Sequence, residues 1–495
     1  MERKKILIIG AGPGGLSSAM QLAHKGFQVD VFEKQSSPGG RTSEIKVGDF
    51  KFDVGPTFFM MKHVIDRVFE SVGRKPEDYM SFIRLSPMYR LMLPDNRTID
   101  AFEDKELMRS ELEKTFPGDG NGIDLFYERE TKRYARLMPI LERNNNSMRD
   151  IFRLDFFKAI PYFAIGRSLF DEMGRYFKAE FARLSFTFQS KYLGMSPWKC
   201  PGAFGLVPFI EHSEGVFHIK GGLNKISQGM ARAAEEDGAI FHYNTSVKKI
   251  IVKDGKAVGI QTESGEEWFG DEVIVNADFG YAMEHLFDES VLKKYTPKKL
   301  EKKGISCSIF MLYAGMKKVY PLEHNTIVFA KDYKKNVNDV FSGNLSGDNV
   351  SFYIRNTSET DPDDAPKGKS ALYILVPVPN KRANIDWKVE TQNVRNAVIS
   401  QIEERLGFKD FSSMIEAEHI ITPDQWEGEY NVYRGAVFNL AHNLGQMLWF
   451  RPHNKFEDVD NCYLVGGGTH PGSGLPTIFQ SGIIAADLIS KKYNK

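Results

Sequence analysis

The sequence is poor in several features that mark other classes of protein. Its 495 residues include three cysteines, Cys200, Cys307 and Cys462, which are far apart and have no metal-ligand spacing. Lys and Arg together number 65, as do Asp and Glu, so no net charge attracts nucleic acid. No apolar run reaches the about 18 residues of a membrane-spanning helix, and no secretory signal opens the chain. We therefore expect a cytoplasmic protein with reduced thiols, no metal and no nucleic-acid partner.

The N-terminal stretch has the pattern of a dinucleotide site. An apolar strand over 5–10 runs into a G-x-G-x-x-G, a helix is predicted over 16–25, and a second strand over 28–32 ends at Glu33. Gly10 permits the tight turn, Gly12 lets the backbone approach a pyrophosphate, and Gly15 allows close helix–strand packing. Glu33 is placed to accept hydrogen bonds from ribose hydroxyls. A nicotinamide or a flavin dinucleotide would both fit this pattern.

Two further segments extend the predicted site. The second strand is followed by Pro38-Gly39-Gly40-Arg41. The guanidinium of Arg41 matches the geometry of the oxygens of a pyrophosphate. The alternative for Arg41 is a solvated surface charge. Near the C-terminus, a strand over 462–465, a glycine-rich turn over 466–476 and a helix over 477–490 predict a second helix N-terminus directed at the cofactor. Pro476 suits the first turn of that helix.

Residues 147–195 combine aromatic and basic side chains to an unusual degree. Acidic side chains are fewer there than basic ones, and the phenylalanines stand at 152, 156, 157, 163, 170, 177, 181, 186 and 188. Bulky apolar residues among basic ones are typical of helices that lie in a membrane interface. A helical lid lining an internal cavity would use the same residues, and the two interpretations are compatible. The third interpretation is a purely structural helical subdomain.

Several motifs resemble those of one known group of enzymes. GAGPGG (10–15), FEKQSSPGGR (32–41) and FDVGPT (52–57) are similar to the flavin-containing amine oxidase and carotenoid desaturase superfamily, which binds FAD. THPGSGLP (469–476), with HIKGGL (218–223) and FRPHN (450–454), resembles the bacterial carotenoid (phytoene-type) desaturases. The resemblance is nearest to the dehydrosqualene (diapophytoene) desaturase branch.

The motifs and the resemblance together imply a set of site residues. We expect FAD to be bound by Gly10, Gly12, Gly14, Gly15, Glu33, Lys34, Gly40, Arg41, Pro56, Thr57, Val247, Gly467, Thr469, Gly474 and Pro476. His470 is the titratable group expected nearest the chemistry. Its competing role is structural, fixing the turn by hydrogen bonds. A dedicated catalytic base need not exist.

The implied fold is α/β, with a Rossmann-like FAD-binding domain, a mixed-sheet substrate domain and a helical lid or membrane-associated subdomain. We expect the FAD-binding domain to comprise 1–80, 201–285 and 456–495. The substrate domain is expected to comprise 81–145 and 286–455, and the helical segment 146–200.

The implied activity is FAD-dependent desaturation of a carotenoid-type polyene in carotenoid biosynthesis, at the inner face of the cell membrane. The sequence contains no second G-x-G-x-x-G, so oxygen or a quinone is the expected electron acceptor. Three alternatives remain: a carotenoid oxidase forming terminal aldehydes, a flavin-less prenyl- or lipid-binding protein like the Rab GDP-dissociation inhibitors, and an amine oxidase. Substrate chain length and oligomeric state stay open.

Overall fold

A computed structural model describes residues 3–144 and 152–494. The part of the predicted helical segment at 146–151 lies outside the described residues. Within them the chain forms nineteen strands, in chain order β1 (Lys5–Ile9), β2 (Gln28–Phe32), β3 (Glu44–Val47), β4 (Phe50–Asp53), β5 (Phe82–Arg84), β6 (Tyr89–Met92), β7 (Thr98–Ala101), β8 (Phe217–Ile219), β9 (Ile240–His242), β10 (Val247–Lys253), β11 (Lys256–Thr262), β12 (Glu267–Phe269), β13 (Glu272–Val275), β14 (Ser308–Met316), β15 (Asn325–Val328), β16 (Phe352–Asn356), β17 (Ser370–Val378), β18 (Ile415–Ile421) and β19 (Cys462–Leu464).

The same residues form fifteen α-helices. In chain order they are α1 (Pro13–His24), α2 (Lys62–Glu70), α3 (Lys105–Thr115), α4 (Gly122–Leu141), α5 (Leu154–Ala159), α6 (Leu169–Met173), α7 (Glu180–Ser185), α8 (Leu206–Glu214), α9 (Asn224–Glu236), α10 (Phe279–Tyr281), α11 (Pro297–Leu300), α12 (Tyr333–Ser342), α13 (Trp387–Arg405), α14 (Pro423–Gly428) and α15 (Leu475–Lys492).

A parallel sheet of five strands forms the cofactor domain, in the order β19-β13-β1-β2-β9. Its central strand is buried on both faces, as continuous apolar runs in parallel sheets are. α1 and α15 pack against each other, and the Ser17 hydroxyl donates to the Phe479 carbonyl at 2.9 Å. The chain thus brings its two ends together, and the Rossmann-like expectation is confirmed.

A second, mixed sheet has seven strands, in the order β18-β14-β17-β16-β15-β6-β7. β14 and β17 pair antiparallel along their whole nine-residue lengths, whereas β6 joins β15 in parallel. The predicted mixed sheet is therefore present, and the domain boundaries given above stay predictions.

Helix α1 begins earlier than the sequence predicted. The helix was expected from Leu16, but it starts at Pro13, directly after Gly12. Proline is well suited to the first helical turn because its missing N–H has no intrahelical acceptor there. The earlier start brings the free N–H groups of the first turn up to the glycine turn itself.

Candidate cofactor and substrate site

The glycine turn after β1 packs so closely on its neighbours that it leaves no room for side chains at Gly14 and Gly15. Gly10 has φ of +93°, which disfavours other residues. A Cβ on Gly15 would lie 2.3 Å from the Gly10 carbonyl oxygen, and one on Gly14 would lie 2.8 Å from Oδ1 of Asn276. Asn276 in turn donates from Nδ2 to the Gly10 carbonyl at 3.0 Å. The turn is therefore closed tightly on the end of β13, with Gly10 and Gly12 facing the cavity.

Glu33, at the end of β2, is held beside this turn. Its two carboxylate oxygens accept hydrogen bonds from the backbone N–H groups of Ala11 and Gln35, at 2.8 and 2.9 Å. Burial raises the pKa of Glu33, and the two backbone donors act against that rise. Lys34 donates to the Glu429 carbonyl, and burial lowers its pKa. Val247, the first residue of β10, lines the same end of the cavity.

The segment at 38–41 lies against the glycine turn after β1. The Gly39 N–H donates to the Ala11 carbonyl at 2.9 Å, and Gly40, with φ of +55°, faces Gly12. Arg41 donates to the Val437 carbonyl at 2.7 Å, and its Nη1 lies 3.9 Å from the Asp278 carboxylate. Arg41 is thus a cavity residue, not a solvated surface charge.

The C-terminal turn lies on the other side of the same cavity. Gly467, Gly474 and Pro476 line it, and α15 begins at Leu475 with Pro476 in its first turn. The buried guanidinium of Arg451 supports the turn from behind, donating to the carbonyls of Gly467 and Thr469 at 2.6 and 3.0 Å. The N-terminus of α15 is therefore directed into the cavity, where it stabilises negative charge.

A single cavity of about 670 Å³ joins these elements to an apolar chamber between the seven-stranded sheet and the helical segment. Pro56 and Thr57 stand where the two parts meet, and the Thr57 hydroxyl lies 2.9 Å from that of Tyr353. The side chains that line the chamber are mostly aliphatic or aromatic, among them Phe58, Phe188, Ile210, Ile327, Phe329, Phe352, Leu375, Trp426, Met447 and Trp449.

Four of the predicted site residues do not line the cavity. Gly14 and Gly15 contribute the close packing described above. Thr469 is buried and donates to the Gly466 carbonyl at 2.9 Å. His470 is buried, with Nε2 2.8 Å from the Arg143 carbonyl oxygen, and burial lowers its pKa to about 4. This environment favours the structural role of His470, and its catalytic role stays a prediction.

Sequence reasoning missed three polar residues of the site. Asn276 and Asp278 follow β13, and polar residues at the carboxyl end of a buried parallel strand are a general signal of a binding site. Asn224, at the start of α9, donates from Nδ2 to the carbonyls of Pro38 and Thr42, both at 3.0 Å. It supports the Gly39–Arg41 segment from more than 180 residues away, and we find no sequence signal for it.

A Rossmann-like sheet, two glycine-rich turns on one cavity and an apolar chamber define a dinucleotide-binding oxidoreductase with an apolar substrate. The chain belongs to the flavin containing amine oxidoreductase family, whose profile matches residues 13–490. It is 49% identical over 490 residues to a 4,4'-diapophytoene desaturase (4,4'-diapolycopene-forming) of a Methylomonas species, covering 99% of this chain and 96% of the relative. A zeta-carotene-forming phytoene desaturase of Myxococcus xanthus is 39% identical, covering 99% and 94%.

A solved structure of an oxidoreductase from Methanosarcina mazei shares the fold, with a TM-score of 0.66 at 17% identity over 98% of this chain and all of that chain. The cofactor is FAD, and the site fits it. Gly10, Gly12 and Gly40 line the cavity without side chains that would obstruct a pyrophosphate, and Glu33 and Val247 line it as well. The resemblance to carotenoid desaturases drawn from the sequence is confirmed.

Proposed function

We propose that this protein is an FAD-dependent desaturase of a carotenoid-type polyene hydrocarbon. The observation that carries this function is the continuity of the flavin cradle with a chamber of aliphatic and aromatic walls. When bound, the flavin supplies the oxidising power that removes two hydrogens from a CH–CH unit. The residues of this chain bind the cofactor, hold the hydrocarbon against it and keep bulk water away.

The names of the relatives support a proposal for the chain length of the substrate. The relative at 49% identity is named for diapophytoene, and the one at 39% identity for phytoene. The higher identity supports a thirty-carbon substrate for this chain. Oxygen or a quinone is the proposed electron acceptor, since a nicotinamide would require a second dinucleotide site.

The test is a product analysis. The protein would be supplied in liposomes with thirty-carbon diapophytoene or with forty-carbon phytoene, and the products weighed by mass spectrometry. We expect thirty-carbon products lighter by pairs of hydrogens. Products that gain oxygen would instead support a carotenoid oxidase on the same fold.

We further propose that the protein takes its substrate from a membrane surface. Among the described residues, no helix has the length and hydropathy needed to cross a bilayer. Apolar side chains are nevertheless exposed on two segments that each contribute lining residues to the cavity, Phe163 in one and Leu444 and Phe450 in the other. We call this surface the mouth face; its members are Phe152, Leu154, Phe157, Ile160, Ile165, Leu444 and Phe450. Phe152 is 77% exposed and Ile165 is 70% exposed, which is costly in water.

The mouth face is continuous with the chamber. Phe156 packs against Trp449 with ring centroids 5.2 Å apart, which joins its two segments. Leu444 and Phe450 also line the cavity. The basic side chains of Arg153 and Arg167 are about half exposed nearby and suit anionic headgroups. This arrangement supports entry of a hydrocarbon from lipid directly into the chamber.

Liposome flotation tests the membrane proposal. Phe152→Ser with Ile165→Ser should lower the bound fraction on vesicles containing phosphatidylglycerol, while bound FAD stays unchanged. A matched control is Phe269→Ser with Val319→Ser, because these side chains are also exposed but belong to neither segment of the mouth face. Equal binding by both double variants would refute the assignment of the mouth face.

A further inference from the structure

Desaturation releases a proton, which requires an acceptor. One hydrogen of the CH–CH unit leaves with its bonding electrons, and the neighbouring carbon must then lose a proton. In a chamber with aliphatic and aromatic walls, that proton needs a basic side chain within reach. His470, the candidate from the sequence, does not line the cavity.

Most ionisable side chains of the cavity are already engaged. Arg67 pairs with Glu142 at 2.9 Å, and Arg41 lies beside Asp278. Glu33 accepts two backbone hydrogen bonds, and Lys34 donates to a carbonyl. His442 donates from Nδ1 to the Leu193 carbonyl at 3.3 Å and accepts at Nε2 from the Ser473 N–H at 3.0 Å. None of these groups has a free basic atom directed at a hydrocarbon.

Lys191 differs from all of them. It lines the cavity, and within 3–144 and 152–494 no carboxylate or carbonyl accepts a hydrogen bond from its Nζ. Nζ instead lies 4.8 Å from the centroid of the Tyr333 ring. Its side chain is only partly buried.

The position of Lys191 is fixed relative to the cofactor turn. Leu193, two residues later, is tied through His442 to the backbone of Ser473 in the glycine-rich turn. Gly194 packs so closely on Ser306 that a Cβ there would lie 2.2 Å from the serine Cβ. The segment that carries the amine is therefore held on the cofactor side of the chamber.

We propose that the amine of Lys191 is the proton acceptor of the desaturation. The C–H bond of the neighbouring carbon breaks, its electron pair becomes the second bond of the new C=C, and the proton forms an N–H bond at Nζ. The other hydrogen would leave with its electron pair to the oxidised flavin, which the proposed desaturation supplies. The Tyr333 ring then stabilises the resulting ammonium. This inference rests on the proposed desaturation.

The electrostatics of the chamber suit a base. Burial lowers the pKa of Lys191 to about 8, so a useful fraction is a neutral amine near pH 7. The titratable groups facing it are the Cys307 thiol and the Tyr333 phenol, and burial raises the pKa of both, so neither carries a charge. His442 behind Leu193 is neutral because burial holds its pKa well below the ordinary value.

A labelling experiment tests the proposal without measuring turnover. The flavin-loaded protein would be treated with acetic anhydride from pH 6 to pH 10, and acetylation of Lys191 measured by peptide mass spectrometry. We expect a labelling midpoint near pH 8 and protection by bound diapolycopene. Lys334, exposed on the same helix as Tyr333, is the control that the polyene must leave unprotected. An unprotected Lys191 would overturn the proposal.

Substitutions of Lys191 provide a second test of the proposal. Lys191→Met and Lys191→Arg should keep FAD and bind the polyene but lose ~100-fold or more in the rate of double-bond formation. The wild-type rate should rise with pH through about 8, and the residual rate of Lys191→Met should not. Lys334→Met should behave as wild type. A Lys191→Met enzyme with near-normal rate and pH profile would overturn the proposal. A wild type that forms no double bonds would instead refute the desaturase function.

Discussion

Arg355 on β16 and Asp53 at the end of β4 form a buried ion pair, with Nη1 2.8 Å from Oδ2. Both side chains are at most 3% exposed. Asp53 also accepts the Leu223 N–H at 2.8 Å, and Arg355 donates to Nδ1 of His218 at 3.1 Å. The pair therefore connects the seven-stranded sheet to the segment that leads into Pro56 and Thr57, beside the cofactor cradle.

Breaking this pair should be costly. Arg355→Met leaves the Asp53 carboxylate buried without a cation, and we expect a loss of about 3–5 kcal/mol in the free energy of unfolding. Chemical denaturation with flavin fluorescence measures it. The control is Arg232→Met, which removes an exposed pair with Glu236 and should cost about 1 kcal/mol or less. Equal losses in the two variants would contradict a buried link between the domains.

Glu211 makes the stability depend on pH. It is fully buried on α8, accepts hydrogen bonds from Gln189 and Tyr89 at 2.7 and 3.2 Å, and burial raises its pKa to about 8. A raised carboxyl pKa favours the folded state while the group is protonated. We expect this stabilisation to be complete below pH 4.5, to fall progressively as the pH rises to 8 and to level off above it, a loss of about 4 kcal/mol between pH 5 and pH 9.

Glu211→Gln should remove that dependence, because the amide cannot ionise. We expect its melting temperature to exceed that of the wild type at pH 9 and to differ little at pH 5. Scanning calorimetry at both values checks this, with the exposed Glu70→Gln as control. A variant that gains equally at both pH values would show that Glu211 does not titrate in this range.

A side chain added in the glycine turn should cause loss of the cofactor. Gly15→Ala would place a Cβ 2.3 Å from the Gly10 carbonyl oxygen, and this backbone atom cannot rotate away. We expect purified Gly15→Ala to lack bound FAD by absorbance. Gly428→Ala is the control, since no atom lies within 4 Å of the added Cβ. Full flavin content in Gly15→Ala would mean that the turn is looser than described.

His470 is expected to act through structure. His470→Ala removes the contact with the Arg143 carbonyl and should destabilise the protein by about 1–3 kcal/mol. The rate per bound FAD should stay close to that of the wild type. Stopped-flow rates normalised to flavin content decide this, and a large loss with intact stability would restore the catalytic role.

The cofactor site could be read from the sequence to a large extent because its motifs are local. Gly10, Gly12 and Glu33 belong to one strand–turn–helix–strand unit, and Pro476 lies in the first turn of a helix that its own neighbours predict. Such units depend on residues within about 30 positions of one another. The family resemblance then linked the two ends of the chain, which pack together as α1 and α15.

The features of the fold and of the site that the sequence did not predict depend on contacts between distant parts of the chain. Asn224 reaches Pro38, Arg355 reaches Asp53, and Lys191 reaches Tyr333, in each case across more than 100 residues. No periodicity or motif predicts such pairs. The phenylalanines of the helical segment show the same limit, since Phe177 and Phe186 are in the core while Phe152 is exposed.

The flavin spectrum under anaerobic conditions tests the desaturase function most directly. The purified, FAD-loaded protein would be mixed with liposomes carrying diapophytoene, and the flavin absorbance followed while the product is weighed. We expect the flavin to be bleached in step with the formation of a product lighter by two hydrogens. Bound flavin that is bleached neither by diapophytoene nor by phytoene would contradict it.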